Sequence, residues 1–267
     1  MITSTVQFFR SKKGYLFSVL FLTVCVTFAQ QKGESPVTIT MDMQPVLQLN
    51  TTSSNQITFA FDQVNDYYAG VTLYGATVLK VNATVNWDLY AIGTSTGNVG
   101  PGFWDLQFGY GNTGTNAINR IPLSALELRQ STPNNHATAA AGVYADYSSA
   151  FPPVQSPSGS NSIYVDPGNT NAPPTTSHKY IAGHAGATGS GNDGVFGGSY
   201  LSAGGISSDY YYVIDYRIVP GLPAVFPMAF DANGVTPQNL EATNGNGAYA
   251  QPGVYTMNVL YFLVEDQ

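Results

Sequence analysis

The sequence predicts an all-β fold: an antiparallel β-sandwich, jelly-roll or immunoglobulin-like, carrying a long loop-rich insertion. Three observations predict it. Apolar residues recur at every second position in several segments, the period of a strand with one face on a core and the other in water. The composition, with 18 Tyr, 14 Phe, 28 Gly and 16 Pro, suits many strands joined by turns. No long amphipathic helix is visible.

In chain order, the first segment is an address. Arg10, Lys12 and Lys13 precede an almost unbroken apolar run from Tyr15 to Phe28, and Thr27-Phe28-Ala29 closes it with small residues at the positions a signal peptidase reads. This is the order of a secretory signal peptide over residues 1–29. The run is shorter than the ~20 apolar residues a spanning helix needs, so no transmembrane segment is expected. The expectation is export to the cell surface or the extracellular space, with the periplasm as the alternative.

Cleavage after Ala29 removes three of the nine Lys and Arg and none of the sixteen acids, taking the net charge from −7 to −10. Lys32, Lys80, Arg120, Arg129, Lys179 and Arg217 remain, scattered along the chain. Such an acidic chain repels phosphate backbones, which excludes nucleic acid as a partner. The only cysteine, Cys25, lies inside the leader, and Leu22-Thr23-Val24 before it lacks the small residues of a lipoprotein site. Residues 30–267 must therefore hold together by core burial, which this length allows. The absence of disulfides leans toward a bacterial envelope or surface protein.

The strands follow. In Val37–Leu49 the residues Val37, Ile39, Met41, Met43, Leu47 and Leu49 share a parity, and Pro45 marks an edge strand or a break. Gln56–Asp62 aligns Ile57, Phe59 and Phe61. Thr77–Tyr90 is the clearest: Leu79, Val81, Ala83, Val85, Trp87 and Leu89 alternate with Lys80, Asn82, Thr84, Asn86 and Asp88. Gly102–Gly111 aligns Trp104, Leu106, Phe108 and Tyr110. Ser124–Arg129 reads as a short helix or as a strand. Tyr210–Ile218 puts Tyr210, Tyr212, Ile214, Tyr216 and Ile218 on one face, with Asp215 and Arg217 on the other. Val254–Val264 is apolar on both faces, which suggests a central strand. Between about residues 131 and 208, a segment dense in Pro and Gly reads as an elaborated insertion within one domain, with strand-like islands at Ser162–Val165 and Lys179–Ile181.

Candidate chemistry is sparse. His136, His178 and His184 match no zinc spacing, even with Asp193 nearby. Asp62, Asp66, Asp88, Asp105 and Asp215 could serve paired-carboxylate hydrolysis only if the fold opposed two of them across a cleft; Asp88 and Asp215 fall on the polar faces of strands, where acids solubilise. With no cysteine after residue 29 a thiol nucleophile is excluded. No catalytic residue, metal site or cofactor is assigned, and an enzyme is not expected. Structural calcium is the one cation to consider, through the oxygens of Asp62, Asn65 and Asp66 or of Asn233, Asn244 and Asn246, although neither group follows a calcium motif; Asx turns explain both. Trp87 and Trp104 are assigned to the core by their alignment with apolar neighbours. Tyr67, Tyr68, Tyr144, Tyr147 and Tyr211 fall in loops or on an opposite strand face, and are the candidate ligand-binding residues.

Asp66-Tyr67-Tyr68-Ala69-Gly70, Asn86-Trp87-Asp88-Leu89 and the closing Pro252-Gly253-Val254-Tyr255-Thr256-Met257-Asn258-Val259 resemble fimbrial-type and coat-type β-sandwich surface subunits of Gram-negative bacteria. In those a Gly-x-Tyr-Thr turn launches the last strand. The resemblance implies a structural or adhesive role at the cell surface. The expected function is thus a secreted, non-enzymatic surface protein that assembles with itself or with other surface proteins. A carbohydrate-binding module with glycans as partners is the alternative, and a glycoside-acting enzyme on a jelly roll a weaker one.

Overall fold

The computed structural model describes residues 37–111, 113–131, 147–152, 161–166, 168–174, 179–183, 210–219, 244–245 and 247–266, with the Tyr68 side chain excepted. The expected leader, residues 1–29, lies outside them. The chain divides after Met43. Val37–Met43 belongs to no strand, and its alternating Val37, Ile39, Met41 and Met43 are between 80% and 88% exposed. Of the strand expected over Val37–Leu49, only the end forms, as β1 (Leu47–Thr51).

From Gln44 onward the fold is all-β, with two antiparallel sheets sharing one core. The first sheet is β1, β2 (Thr72–Ala83), β8 (Tyr210–Ile218) and β6 (Leu126–Gln130), in that spatial order. The second is β11 (Asn258–Glu265), β3 (Trp87–Thr94) and β7 (Tyr180–Ala182). A two-stranded ribbon, β4 (Asp105–Gly109) with β10 (Gly253–Thr256), adjoins them in sequence, and β5 (Ala117–Ile118) pairs in parallel with β9 (Tyr249–Ala250).

The alternation over Thr77–Tyr90 covers two strands rather than one. The chain leaves the first sheet after Ala83 and enters the second at Trp87. Trp87 follows Ala83 by four positions, an even offset, so the apolar parity survives the crossing. Leu79, Val81 and Ala83 thereby face Trp87, Leu89 and Ala91 within a single core. Tyr212, Ile214, Tyr216 and Ile218 from β8 and Leu126 and Leu128 from β6 complete it. A chain of hydroxyls also crosses the core: Thr77 Oγ1 bonds Tyr216 Oη at 2.8 Å, and Tyr216 Oη bonds Tyr261 Oη of β11.

The other expected elements resolve in instructive ways. Gln56–Asp62 forms no strand, yet Ile57, Phe59 and Phe61 do pack on the core. Both readings of Ser124–Arg129 hold in succession, a 3₁₀ turn at Leu123–Ala125 and then β6. A six-residue helix, α1 (Val64–Ala69), was not anticipated. Val254–Val264 is two strands, and β11 stands at a sheet edge, not its centre. Its second apolar face packs Phe262 and Val264 against Tyr90, Ile92, Tyr164 and Tyr180 on the outside of the sheet.

The described pieces of the 131–208 region join the two sheets. Ile163 N–H donates to Leu126 O at 2.8 Å and Leu128 N–H to Asn161 O at 2.9 Å, which holds Asn161–Ile163 along β6. One residue on, Gly93 N–H donates to Tyr164 O at 2.8 Å and ties the same segment to β3. One side of the sandwich is therefore laced shut by backbone hydrogen bonds. At the other side β1 and β11 are the terminal strands of their sheets.

Candidate interaction surface

The five tyrosines chosen from sequence do not form one surface. Tyr147 is a correction: it is 1% exposed and belongs to the core. Its hydroxyl accepts the Tyr164 N–H at 3.1 Å, and its carbonyl accepts the Gln130 N–H, so a residue from the loop-rich region is built into the edge of β6. Tyr67 is half-buried on α1, its ring 5.0 Å from Phe61. Tyr211 is half-buried on the outer face of β8, opposite Lys80. Tyr144 and the Tyr68 side chain lie outside the described residues, as do His136, His178, His184, Asp193, Asn233 and Asn246.

The acids also differ from expectation. Asp88 and Asp215 have the polar parity their strands require, but both are buried, at 5% and 1% exposed. Asp215 Oδ1 accepts the Gly75 N–H at 2.7 Å and the Ser131 hydroxyl at 3.0 Å. Gly75 reaches it from a bulge in β2, at φ +62°, a conformation that favours glycine. Asp105 is a loop organiser. Desolvation works against its charge, but N–H groups of Thr96 and Asn98, at 2.6 and 3.0 Å, outweigh that and hold its carboxyl below the ordinary range. Asp66, weighed above as a calcium ligand, spends one oxygen on the N–H groups of Asp62 and Gln63, both at 2.8 Å, and so caps α1. Among the described residues no three His, Cys, Asp or Glu side chains gather as metal ligands.

Gly93-Thr94-Ser95-Thr96-Gly97 has the spacing of a hydrolase nucleophile elbow, a motif that the expectation of a non-enzyme wrongly took to be absent. The elbow needs a strand running through a sharp turn into a helix. Here β3 ends at Thr94 and runs into the loop organised by Asp105, with no helix after it. The chemistry that such an elbow supports is not built at Ser95.

What parity could not reveal is a sealed ionic cluster on the outer face of the first sheet. Glu127 of β6 and Arg217 of β8 are direct cross-strand partners, 0% and 3% exposed. Arg217 Nε donates to Glu127 Oε2 at 2.6 Å, with Nη2 equally close to that oxygen but poorly aligned for a second bond. Arg217 Nη1 donates to Pro152 O at 2.7 Å, and the guanidinium sits 4.8 Å from the Phe151 ring centre. Lys179, held at φ +76°, donates from Nζ to Ser162 O at 2.8 Å. Burial pushes the Glu127 carboxyl above its usual range, against the pull of Arg217 and Lys179. Closed to solvent, the cluster fastens the loops to the sheet.

Two features of the surface are open. Among the described residues β11 has a hydrogen-bonded neighbour, β3, on one side only, although β1 of the other sheet comes close to it. The β4–β10 ribbon carries the second: Phe108 and, just past β4, Tyr110, both aligned in sequence with Trp104, are 62% and 54% exposed. The glycines around them, Gly109 and Gly111, are the sequence signal that sets this stretch apart from a core strand.

No helix among the described residues is long and apolar enough to cross a membrane. No protein-family model matches the chain, and no curated protein matches it in sequence.

Proposed function

We propose that the chain is exported by its leader and acts as a non-enzymatic structural or adhesive protein of the cell surface, assembling through strand addition between copies. The observation that carries this reading is the open edge of β11. An edge of eight residues that no described strand pairs with is a template for another strand, and natural sheets usually blunt such edges with charge, proline or a bulge. β11 has only Glu265, at its end. A fitting donor exists in the same sequence. Val37–Met43 alternates apolar and polar residues, and its apolar set is exposed. Seven residues at ~3.3 Å each span roughly 23 Å, close to the length of β11. In strand addition the backbone supplies affinity and alternate side chains supply register. The resemblance to fimbrial-type and coat-type subunits supports the same reading, as does a leader that delivers an acidic, cysteine-free body.

The test is sedimentation and electron microscopy of the purified mature chain beside a variant carrying Ile39→Asp and Met41→Asp. The reading expects concentration-dependent assemblies that the double variant cannot form, and protease-accessible chain on intact cells. Monomers at every concentration, or assembly unaffected by the substitutions, would overturn it.

A further inference from the structure

We propose that the β4–β10 ribbon is a binding platform for a neutral glycan. Phe108 on β4 and Tyr110, the residue just past its end, bring their rings together, and Val254 stands directly opposite Phe108 on β10. The two rings meet edge to face, with centroids 5.5 Å apart and planes at 75°, while remaining 62% and 54% exposed; Val254 is 42% exposed. The ribbon is anchored from behind. Tyr255, on the other face of β10, packs toward the core and bonds Gln251 O at 2.7 Å, and Tyr110 N–H donates to Pro252 O at 2.9 Å. The aromatic pair is therefore held out to solvent on a braced support.

Two observations select the occupant. The first is charge. No Asp, Glu, Lys or Arg occurs from Leu106 to Asn119 or from Ala242 to Val264, in a chain whose overall charge is −7. Apart from Asp105, which is buried, the stretches that build the ribbon offer a charged peptide or an anionic polymer no counter-ion of their own, and charge complementarity points to an uncharged ligand. The second is area. Three partly exposed side chains of this size offer roughly 300 Å², well short of the ~800 Å² per partner of a stable protein interface, but enough for the apolar face of one or two sugar rings. Aromatic faces attract the C–H-rich faces of pyranose rings, and the Tyr110 hydroxyl adds a donor and acceptor. This platform is distinct from the β11 edge and does not depend on assembly there.

Affinity electrophoresis of the full mature chain through gels containing neutral polysaccharides (glucans, mannans, galactans) and, separately, acidic ones tests the proposal. Retardation by at least one neutral polymer is expected, weakened at least tenfold in Phe108→Ala and in Tyr110→Ala, with little change in Tyr67→Ala. Phe108→Thr and Tyr110→Thr, which keep a strand-forming residue, serve if the alanine variants fail to fold. No retardation by any neutral polymer, retardation only by acidic ones, or retardation indifferent to both positions would overturn it. So would loss of self-assembly in these variants without any glycan effect, because the occupant would then be a second copy.

Discussion

Glu127 and Arg217 stand directly opposite each other across β6 and β8, and their ion pair is sealed beneath residues 151–152. A buried pair of this kind is weak evidence of net stabilisation, because desolvating two charges costs about as much as their attraction returns. Its effect is to make the arrangement exclusive. A loop that moves away from Arg217 strips its Nη1 of the Pro152 carbonyl.

Glu127→Gln and Arg217→Met should each lower the unfolding free energy by about 3–5 kcal/mol, since each leaves a buried charge without its partner. The double variant Glu127→Leu/Arg217→Met should recover most of that loss in urea titrations. The pH dependence has a definite sign. Burial raises the Glu127 carboxyl, so the folded chain holds that proton more tightly than the unfolded one. The stability it contributes is complete below the unfolded pKa, about 4.3, and is lost as pH rises through the folded value. The advantage of wild type over Glu127→Gln should therefore narrow as pH rises from about 4; a widening gap would refute the assignment.

Tyr147→Phe deletes the acceptor of a buried N–H and should cost about 1–3 kcal/mol. Tyr147→Ala, which also opens a cavity beside Ile163, should cost about 3–5 kcal/mol. A surface tyrosine would tolerate either change within about 0.5 kcal/mol. Chemical denaturation separates the two cases directly.

Three tyrosines on the outside of the second sheet hold the loop that follows Asp166. Tyr90, Tyr164 and Tyr180 donate to the carbonyls of Asn171, Pro173 and Pro174 at 3.5, 3.4 and 3.1 Å. Desolvation, with the Asp166 charge behind it, pushes the Tyr90 and Tyr164 hydroxyls up. Their neutral forms are thus favoured by folding. That contribution is complete below the ordinary phenol value, about 10, and disappears as pH climbs through the raised folded values. Hydrogen exchange at Asn169 and Thr170 should accelerate at alkaline pH beyond its intrinsic base catalysis. The triple Tyr-to-Phe variant should already exchange about ten- to a hundredfold faster at neutral pH and should lose that excess. Unchanged protection in the variant would mean that the hydroxyls do not hold the loop.

Alternation makes the two-layered β architecture legible, because it reports which side chains share a face. It is silent on where a strand ends. Ala83 and Trp87 keep one parity across a change of sheet, so two strands read as one. It is also silent on what covers a face. Asp88, Asp215, Glu127 and Arg217 occupy the polar sides of their strands, yet all four are buried, Glu127 and Arg217 beneath loops distant in sequence. Phe108 and Tyr110 show the converse: their alignment with Trp104 suggests a core, but the ribbon turns them outward. Parity assigns a side chain to a face of its strand, while exposure depends on contacts between residues far apart in the chain, such as Arg217 with Pro152 or Glu127 with Ser162.

The open edge of β11 yields the last prediction. Leu260 points to the outer face of that strand and is 37% exposed, so a lysine there can reach water without disturbing the shared core. Charged residues on edge strands, lysine above all, oppose the approach of another strand. Leu260→Lys should therefore leave the thermal transition of the folded chain nearly unchanged, within about 1 kcal/mol, while raising the concentration needed for assembly at least tenfold in sedimentation velocity. Val64→Lys is the control. Val64 is 75% exposed on α1, outside every strand, and the same charge placed there should leave assembly as it was. Equal weakening by both substitutions would trace the effect to net charge; no weakening by Leu260→Lys would remove β11 as the route of association.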